Sequence, residues 1–256
     1  MSWARKRKFV YISIIVLVFL LVVVLPTFIH FYKAPTCTDG KQNQGELGID
    51  CSGPCVRLCP AQYAPLNVLW SRFTKVNDGV YNVLAYIENP NISAGANNLD
   101  YVFKLYDKNG ILLKERYGQT FAPANKIMAI FEAEMLTGKQ VPQRVEFSFI
   151  SDAVWEKQES SEVGLSISEM EMLRLETAPR LSATLTNKTI KQIKNIEAIA
   201  IVYNSAGNTI AFSRTVIDAI NGKTSVPVSF NWPKPFTLGE QGETSARTEI
   251  ILKIRK

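Results

Sequence analysis

Histidine is almost missing from this chain: of 256 residues one is histidine, His30. It lies inside an apolar stretch, where a lone imidazole reads as an interfacial side chain, so a Ser-His-Asp or Cys-His site elsewhere in the chain is excluded. Phosphate-cradling glycine loops are missing as well, since neither Gly-x-x-x-x-Gly-Lys-Ser/Thr nor Gly-x-Gly-x-x-Gly occurs. The formal charge of +6 does not describe a basic groove. Arg5, Lys6, Arg7 and Lys8 supply most of it, and the other 25 basic residues stand against 23 acidic ones. No basic patch with interleaved aromatics is present, which argues against nucleic acid as a partner. The carboxylate pairs Glu132/Glu134 and Glu169/Glu171 sit at strand spacing beside apolar residues and read as solvated faces. No catalytic residue is assigned, and the chain is expected not to be an enzyme.

Charge is also absent from Phe9 to Tyr32, "FVYISIIVLVFLLVVVLPTFIHFY". About 20 apolar residues at 1.5 Å rise cross the hydrocarbon core of a bilayer. Pro26 falls near the outer end, where a lost backbone hydrogen bond is tolerated. The run is longer than a signal-peptide core and no Ala-x-Ala cleavage pattern follows, so residues 9–32 are expected to be an uncleaved anchor, with a cleaved signal as the alternative. The four basic residues before the span, against Lys33 alone after it, predict a cytoplasmic tail at 1–8 and an extracytoplasmic remainder at 33–256.

Cysteine is confined to one short stretch, Cys37, Cys51, Cys55 and Cys59. Outside a membrane, an even cluster of cysteines favours disulfides over zinc, and four cysteines allow three pairings that spacing does not distinguish. Between the first two lie Asp39, Asn43, Glu46 and Asp50, hard oxygen donors separated by Gly40, Gly45 and Gly48. Two readings stand: a calcium loop, for which the ligand set is incomplete and not that of an EF-hand, or a solvated turn whose Asp and Asn side chains cap their own backbone. The pattern C-x-D-G-x-x-N-x-x-E-x-G-x-D-C-x-G-x-C resembles a short cysteine-rich module of bacterial surface proteins, although Ser52-Gly53 stands where that module has Gly-Gly. The resemblance implies a bacterial envelope location rather than an activity. Residues 33–62 are taken as this segment.

Beyond it the apolar pattern changes to a period of two. Val145, Phe147 and Phe149 alternate with polar residues, as do Leu181, Ala183 and Leu185, Val226, Val228, Phe230 and Trp232, and Ile250, Leu252 and Ile254. Asp78-Gly79, Asn109-Gly110, Ala206-Gly207 and Asn221-Gly222 supply turns, so the chain is expected to be mainly β, with β-sandwiches. The pattern also repeats. Asn89 answers Asn187, Tyr106 answers Tyr203, Gly110 answers Gly207, and Thr120 answers Thr215. Each copy is expected to reach an alternating strand, Val145–Phe149 in the first and Val226–Phe230 in the second. This predicts two tandem domains, 63–155 and 163–256, each with its own core, joined through "SDAVWEKQESSE". Trp70, Trp155 and Trp232 are expected in cores or at a domain junction.

Phe103-Lys104-Leu105-Tyr106-Asp107 is a literal Phe-x-Leu-Tyr-Asp. It resembles the motif of the FxLYD family of extracytoplasmic, immunoglobulin-like domains. The second copy keeps only Tyr203. The resemblance implies an immunoglobulin-like β-sandwich at the cell envelope, carried by Phe103, Leu105, Tyr106, Asp107 and Tyr203, with no catalytic residue. The expected function is a non-enzymatic, single-pass cell-membrane protein that binds or spaces an unknown protein or envelope polymer outside the cell. The alternative is a scaffold subunit of a membrane-embedded secretion or surface-filament assembly. The span lacks Gly-x-x-x-Gly, which suits a plain anchor. No cofactor is expected apart from the calcium candidate.

Overall fold

The computed structural model describes residues 3–27, 36–159, 164–236 and 247–254. His30, Lys33, the outer end of the expected span (28–32) and residues 160–162 of the expected linker lie outside them. Helix α1 (Trp3–Phe19) runs into a π-turn, Leu20–Val24, and ends its described course at Thr27. Within it, Arg7–Thr27 is a helix of 21 residues, long and apolar enough to cross a membrane. Pro26 explains the wide turn. It has no N–H for the carbonyl four residues back, and its ring would press on that carbonyl in a regular α-turn. The backbone responds by bonding Leu25 N–H to Leu20 O, and the Thr27 hydroxyl donates to Val23 O.

The described residues from 57 onward form mainly antiparallel β-structure, in two sandwiches of the same topology. The first contains β1 (Asn67–Asn77), β2 (Val80–Asn89), β3 (Ala94–Tyr106), β4 (Leu112–Ala122), β5 (Lys126–Leu136), β6 (Arg144–Phe149) and β7 (Val154–Lys157). The second contains β8 (Leu165–Leu173), β9 (Arg180–Asn187), β10 (Ile193–Tyr203), β11 (Thr209–Ile220), β12 (Ser225–Asn231) and β13 (Arg247–Ile254). Sheet order β1-β2-β5 in the first matches β8-β9-β12 in the second, and β4-β3-β6 matches β11-β10-β13. The turns after β3 and β10 repeat too. Gly110 N–H donates to Asp107 O and Gly207 N–H to Asn204 O, with both glycines left-handed at φ 78° and 79°.

Topology corrects two sequence expectations. The strand ending at Phe149 belongs beside β3, whereas the one ending at Phe230 belongs beside β9, so the counterpart of β6 is β13 and that of β12 is β5. Period-two alternation reports which face a strand buries and is silent about its neighbour. The polar linker is also shorter than its composition suggested. Val154–Lys157 pairs with Ala94–Asn97, and Trp155 is buried, stacked on Tyr63 at 4.7 Å. Upstream, Leu58 belongs to the same core; its N–H donates to Trp155 O, and Ala64 and Asn91 exchange two hydrogen bonds.

Each sandwich has a core: of the alternating residues, Leu181, Ala183, Leu185, Val228, Phe230 and Trp232 lie in the second, whereas Val145, Phe147 and Phe149 pack partly buried against the first. Val83, Ala85, Ile87, Phe103, Leu105 and Ile130 fill the first; Leu181, Leu185, Ile196, Ala200, Val202 and Phe230 fill the second. The expectation that these cores are self-contained needs correction. A third buried cluster joins Leu84, Tyr86, Ala129 and Phe131 of the first sandwich to Ile199, Ile201, Tyr203, Phe212 and Ile251 of the second. Sheet β1-β2-β5 and sheet β11-β10-β13 are therefore covered on both faces. Strands buried on both faces carry continuous apolar runs, which is what "VLAYI" in β2 and "AIAIVY" in β10 are.

Candidate functional site

The cysteine segment is closed by its own side chains. Cys37 and Cys55 form a disulfide, Cys51 and Cys59 are disulfide-bonded as well, and no cysteine is free. Glu46, 6% exposed, accepts from the Asn43 and Asp50 backbone N–H groups through Oε2, both at 3.3 Å. Its other oxygen lies 3.0 Å from Cys55 Sγ, a sulfur with no proton to donate. Asp50 accepts from Gly40 N–H at 2.9 Å. Asp39 accepts from Lys41 N–H and from the Asn43 amide, both at 2.9 Å, and these bonds hold its carboxyl below the usual range. Among the described residues, one metal-sized grouping occurs here, Cys37, Glu46 and Cys55, and two of its members are sulfurs spent on a disulfide. Asp39, Glu46 and Asp50 thus each accept from backbone N–H groups of the segment, whereas Asn43 donates to Asp39 and its buried Oδ1 has no hydrogen-bond partner among the described residues.

The Phe-x-Leu-Tyr-Asp residues divide by face. Phe103 and Leu105 are fully buried in the first core. Asp107 Oδ1 accepts from the Asn109 and Ile111 N–H groups at 2.8 Å and caps the turn. Tyr106 is only half-buried, with the Arg144 guanidinium 4.5 Å from its ring, whereas its counterpart Tyr203 is 5% exposed. Both tyrosines sit at the same place on the outer face of the same kind of sheet. The difference is that the outer face carrying Tyr203 is covered by the other sandwich.

That covered face is the seam of the molecule, and one carboxylate joins its two sides. Tyr86 of β2 donates to Glu249 Oε1 at 2.9 Å, and Tyr203 of β10 donates to Glu249 Oε2 at 3.0 Å. Trp70 stacks on Tyr86 at 4.9 Å, and the Arg247 guanidinium lies 4.3 Å from the Tyr203 ring. Burial, and then the bond to Glu249, pushes the Tyr86 phenol up; burial and the Glu249 charge push Tyr203 up to about 12. A free tyrosine titrates near 10, so above that pH the unfolded chain loses these protons while the folded chain keeps them. The sign is therefore destabilisation on raising pH. Urea midpoints measured between pH 9 and pH 11.5 are expected to fall, and the fall is expected to be shallower in Tyr203→Phe. Equal slopes in the two proteins would dissociate the seam tyrosines from the effect.

Beside the seam the two sandwiches enclose a cleft of about 670 Å³. Glu132 on one wall accepts from the Tyr101 hydroxyl at 2.7 Å and pairs with Arg116 at 3.5 Å. Glu197 on the other is 3% exposed and pairs with Arg214 at 3.2 Å. Lys253 of β13 reaches Thr120 of β4 at 2.5 Å, with its ammonium 5.2 Å from the Phe121 ring. The Tyr101 ring lies directly over Gly118, where a Cβ would come within 2.3 Å of the phenol oxygen. Sequence reasoning assigned none of these residues to a cleft: it read Glu132 as part of a solvated face and Thr120 only as a position of the repeat. Their partners are about 15 to 130 positions away in the chain, and nothing in the period-two pattern marks them.

No protein-family model matches the chain, and no curated protein matches it. Solved structures similar to it include red sea bream transglutaminase, at 12% identity and TM-score 0.26, covering 74% of this chain and 31% of that one. A Bacteroides uniformis β-glucuronidase is similar at 15% identity and TM-score 0.26, covering 70% of this chain and 25% of that one. The chain spans less than a third of either, and likenesses of this order carry no functional argument.

Proposed function

We propose that the protein is a non-enzymatic envelope protein, anchored by its apolar helix with the basic tail in the cytoplasm, that holds a rigid β-structure outside the cell for binding or spacing. The observation that carries this reading is the shared buried layer between the sandwiches. Two domains tethered by a linker alone would flex, whereas Leu84, Phe131, Ile201 and Phe212 are buried in common and fix one body. The anchor supports it through its length, its lack of charge and the basic residues that precede it. The disulfides suit an oxidising compartment. The single histidine supports a non-enzymatic role. The likeness of Phe103–Asp107 to the FxLYD motif agrees with a bacterial envelope location.

Protease added to intact cells tests the orientation. Digestion of the β-structure with retention of the basic tail is the expected result. Protection of the whole chain, or a mature N-terminus near Cys37, would sink the anchored reading. Affinity purification in mild detergent tests the role: stoichiometric membrane subunits would move the reading to a scaffold of a larger assembly.

A further inference from the structure

The cleft beside the seam is polar where its surroundings are apolar. Glu197 shares β10 with the fully buried Ile199 and Ile201, yet it is only 3% exposed and keeps an ion pair with Arg214. Glu197 is the buried half of this pair and the Arg214 side chain is 30% exposed, so the pair opens onto the cleft that both residues line. Backbone geometry is special here as well. Asn98 takes φ 53° at a bulge in β3, where the register with β4 shifts between Ala96 and Leu99, and its side chain lines the cleft. Bulges re-aim side chains and concentrate near binding sites.

Charge narrows the class of ligand. An anion would face Glu132 and Glu197; a cation would face Arg214 and Lys253. A neutral molecule with neighbouring hydroxyls suits both. Its oxygens would accept from the Arg214 guanidinium, the Lys253 ammonium and the Asn98 amide, and its hydroxyl protons would go to Glu132. Phe121, half-buried in the wall, offers an apolar surface for a C–H face. The volume lies within the usual span of roughly 300–1,000 Å³ for small-ligand sites. We propose that this cleft, built jointly by the two sandwiches, binds a neutral saccharide. The proposal rests on the binding reading above and names its ligand class. Tyr101 is a positioning residue in it, holding Glu132 by its hydroxyl while packed against Gly118.

The full chain in detergent micelles, fluorescently labelled, is passed over an array of neutral and acidic oligosaccharides, with heparin and polylysine spots beside them. Retention on a subset of the neutral spots is expected, with Asn98→Ala and Lys253→Met each weakening it at least tenfold. Asn98 is exposed and Lys253 half-buried, and circular dichroism checks that both variants are folded. Gly118→Ala is expected to weaken binding by moving Tyr101. Retention confined to heparin or to polylysine overturns the proposal, as does an array blank at every neutral spot. So does neutral binding that both variants leave unchanged. None of these outcomes touches the protease and co-purification results that decide the anchored reading.

Discussion

Replacing Phe212 by alanine is expected to lower the unfolding free energy by about 3–5 kcal/mol, the usual cost of emptying a buried phenylalanine site. The loss is expected in both sandwiches at once. Phe212 is 1% exposed and belongs to β11 of the second sandwich, yet its ring meets Phe131 of the first edge-on, with centroids 6.0 Å apart. The cavity would open in the layer that both halves bury. Two internal reporters make the test direct, because Trp155 lies in the first core and Trp232 in the second. In variants that retain one or the other, denaturant unfolding should give the same midpoint in the parent, and the same lower midpoint after Phe212→Ala. A shift seen by Trp232 alone would mean that the sandwiches unfold separately and that the seam is a weak contact. A cooperative single transition would fit the buried aliphatic and aromatic contacts that link β2 and β5 to β10, β11 and β13.

Much of the fold is legible in the chain, and the cleft is not. Period-two alternation marked the inward faces correctly, because side chains on a pleated strand must alternate between core and solvent. The repeat of Asn, Tyr and Gly marked the two copies. The covered faces are visible where the copies differ. Aligned on Tyr106 and Tyr203, outward residues Val102 and Lys104 of β3 correspond to Ile199 and Ile201 of β10. Aligned on Asn89 and Asn187, outward Leu84 and Tyr86 of β2 correspond to Ser182 and Thr184 of β9. The apolar outward face thus lies on one sheet in the first copy and on the other sheet in the second, and those are the two faces that meet. The cleft was not legible, since Glu132, Glu197, Arg214 and Lys253 come together only through this stacking. In the cysteine segment the oxygen-bearing residues were identified, but composition alone does not separate a cation loop from a set of turn caps. Which groups face backbone N–H is a matter of geometry.

Asn187→Ala is expected to be the most costly substitution of a polar side chain, on the order of 2–4 kcal/mol, and Asn89→Ala is expected to match it within about 1 kcal/mol. Both asparagines are fully buried, at 0% and 1% exposure, at the ends of equivalent strands. Asn187 Nδ2 donates to Lys191 O and Ile220 O at 2.8 and 3.1 Å, while its Oδ1 accepts from Thr189 N–H at 2.9 Å. Asn89 repeats the arrangement, with Nδ2 on Ala94 O and Pro123 O at 2.9 and 2.8 Å, and Oδ1 on Asn91 N–H at 3.1 Å. Each amide therefore ties the end of its own strand to the loop that follows and to a third segment. Truncation would strip these carbonyls and the N–H of their amide partner, with Lys191 O keeping the Thr189 hydroxyl at 2.9 Å, and each group left unpaired costs about 1–3 kcal/mol before relaxation. Aspartate separates this from a packing effect. It is nearly isosteric, but it would set a negative oxygen against two carbonyls, so Asn187→Asp should be worse than Asn187→Ala near neutral pH and should recover as the carboxyl is protonated in acid. Chemical denaturation of Asn187→Ala, Asn187→Asp, Asn89→Ala and Asn89→Asp measures the series. An aspartate tolerated at either position, or an alanine costing less than about 0.5 kcal/mol, would mean that the amides only fill space and that the matching geometry of the two copies has no energetic role.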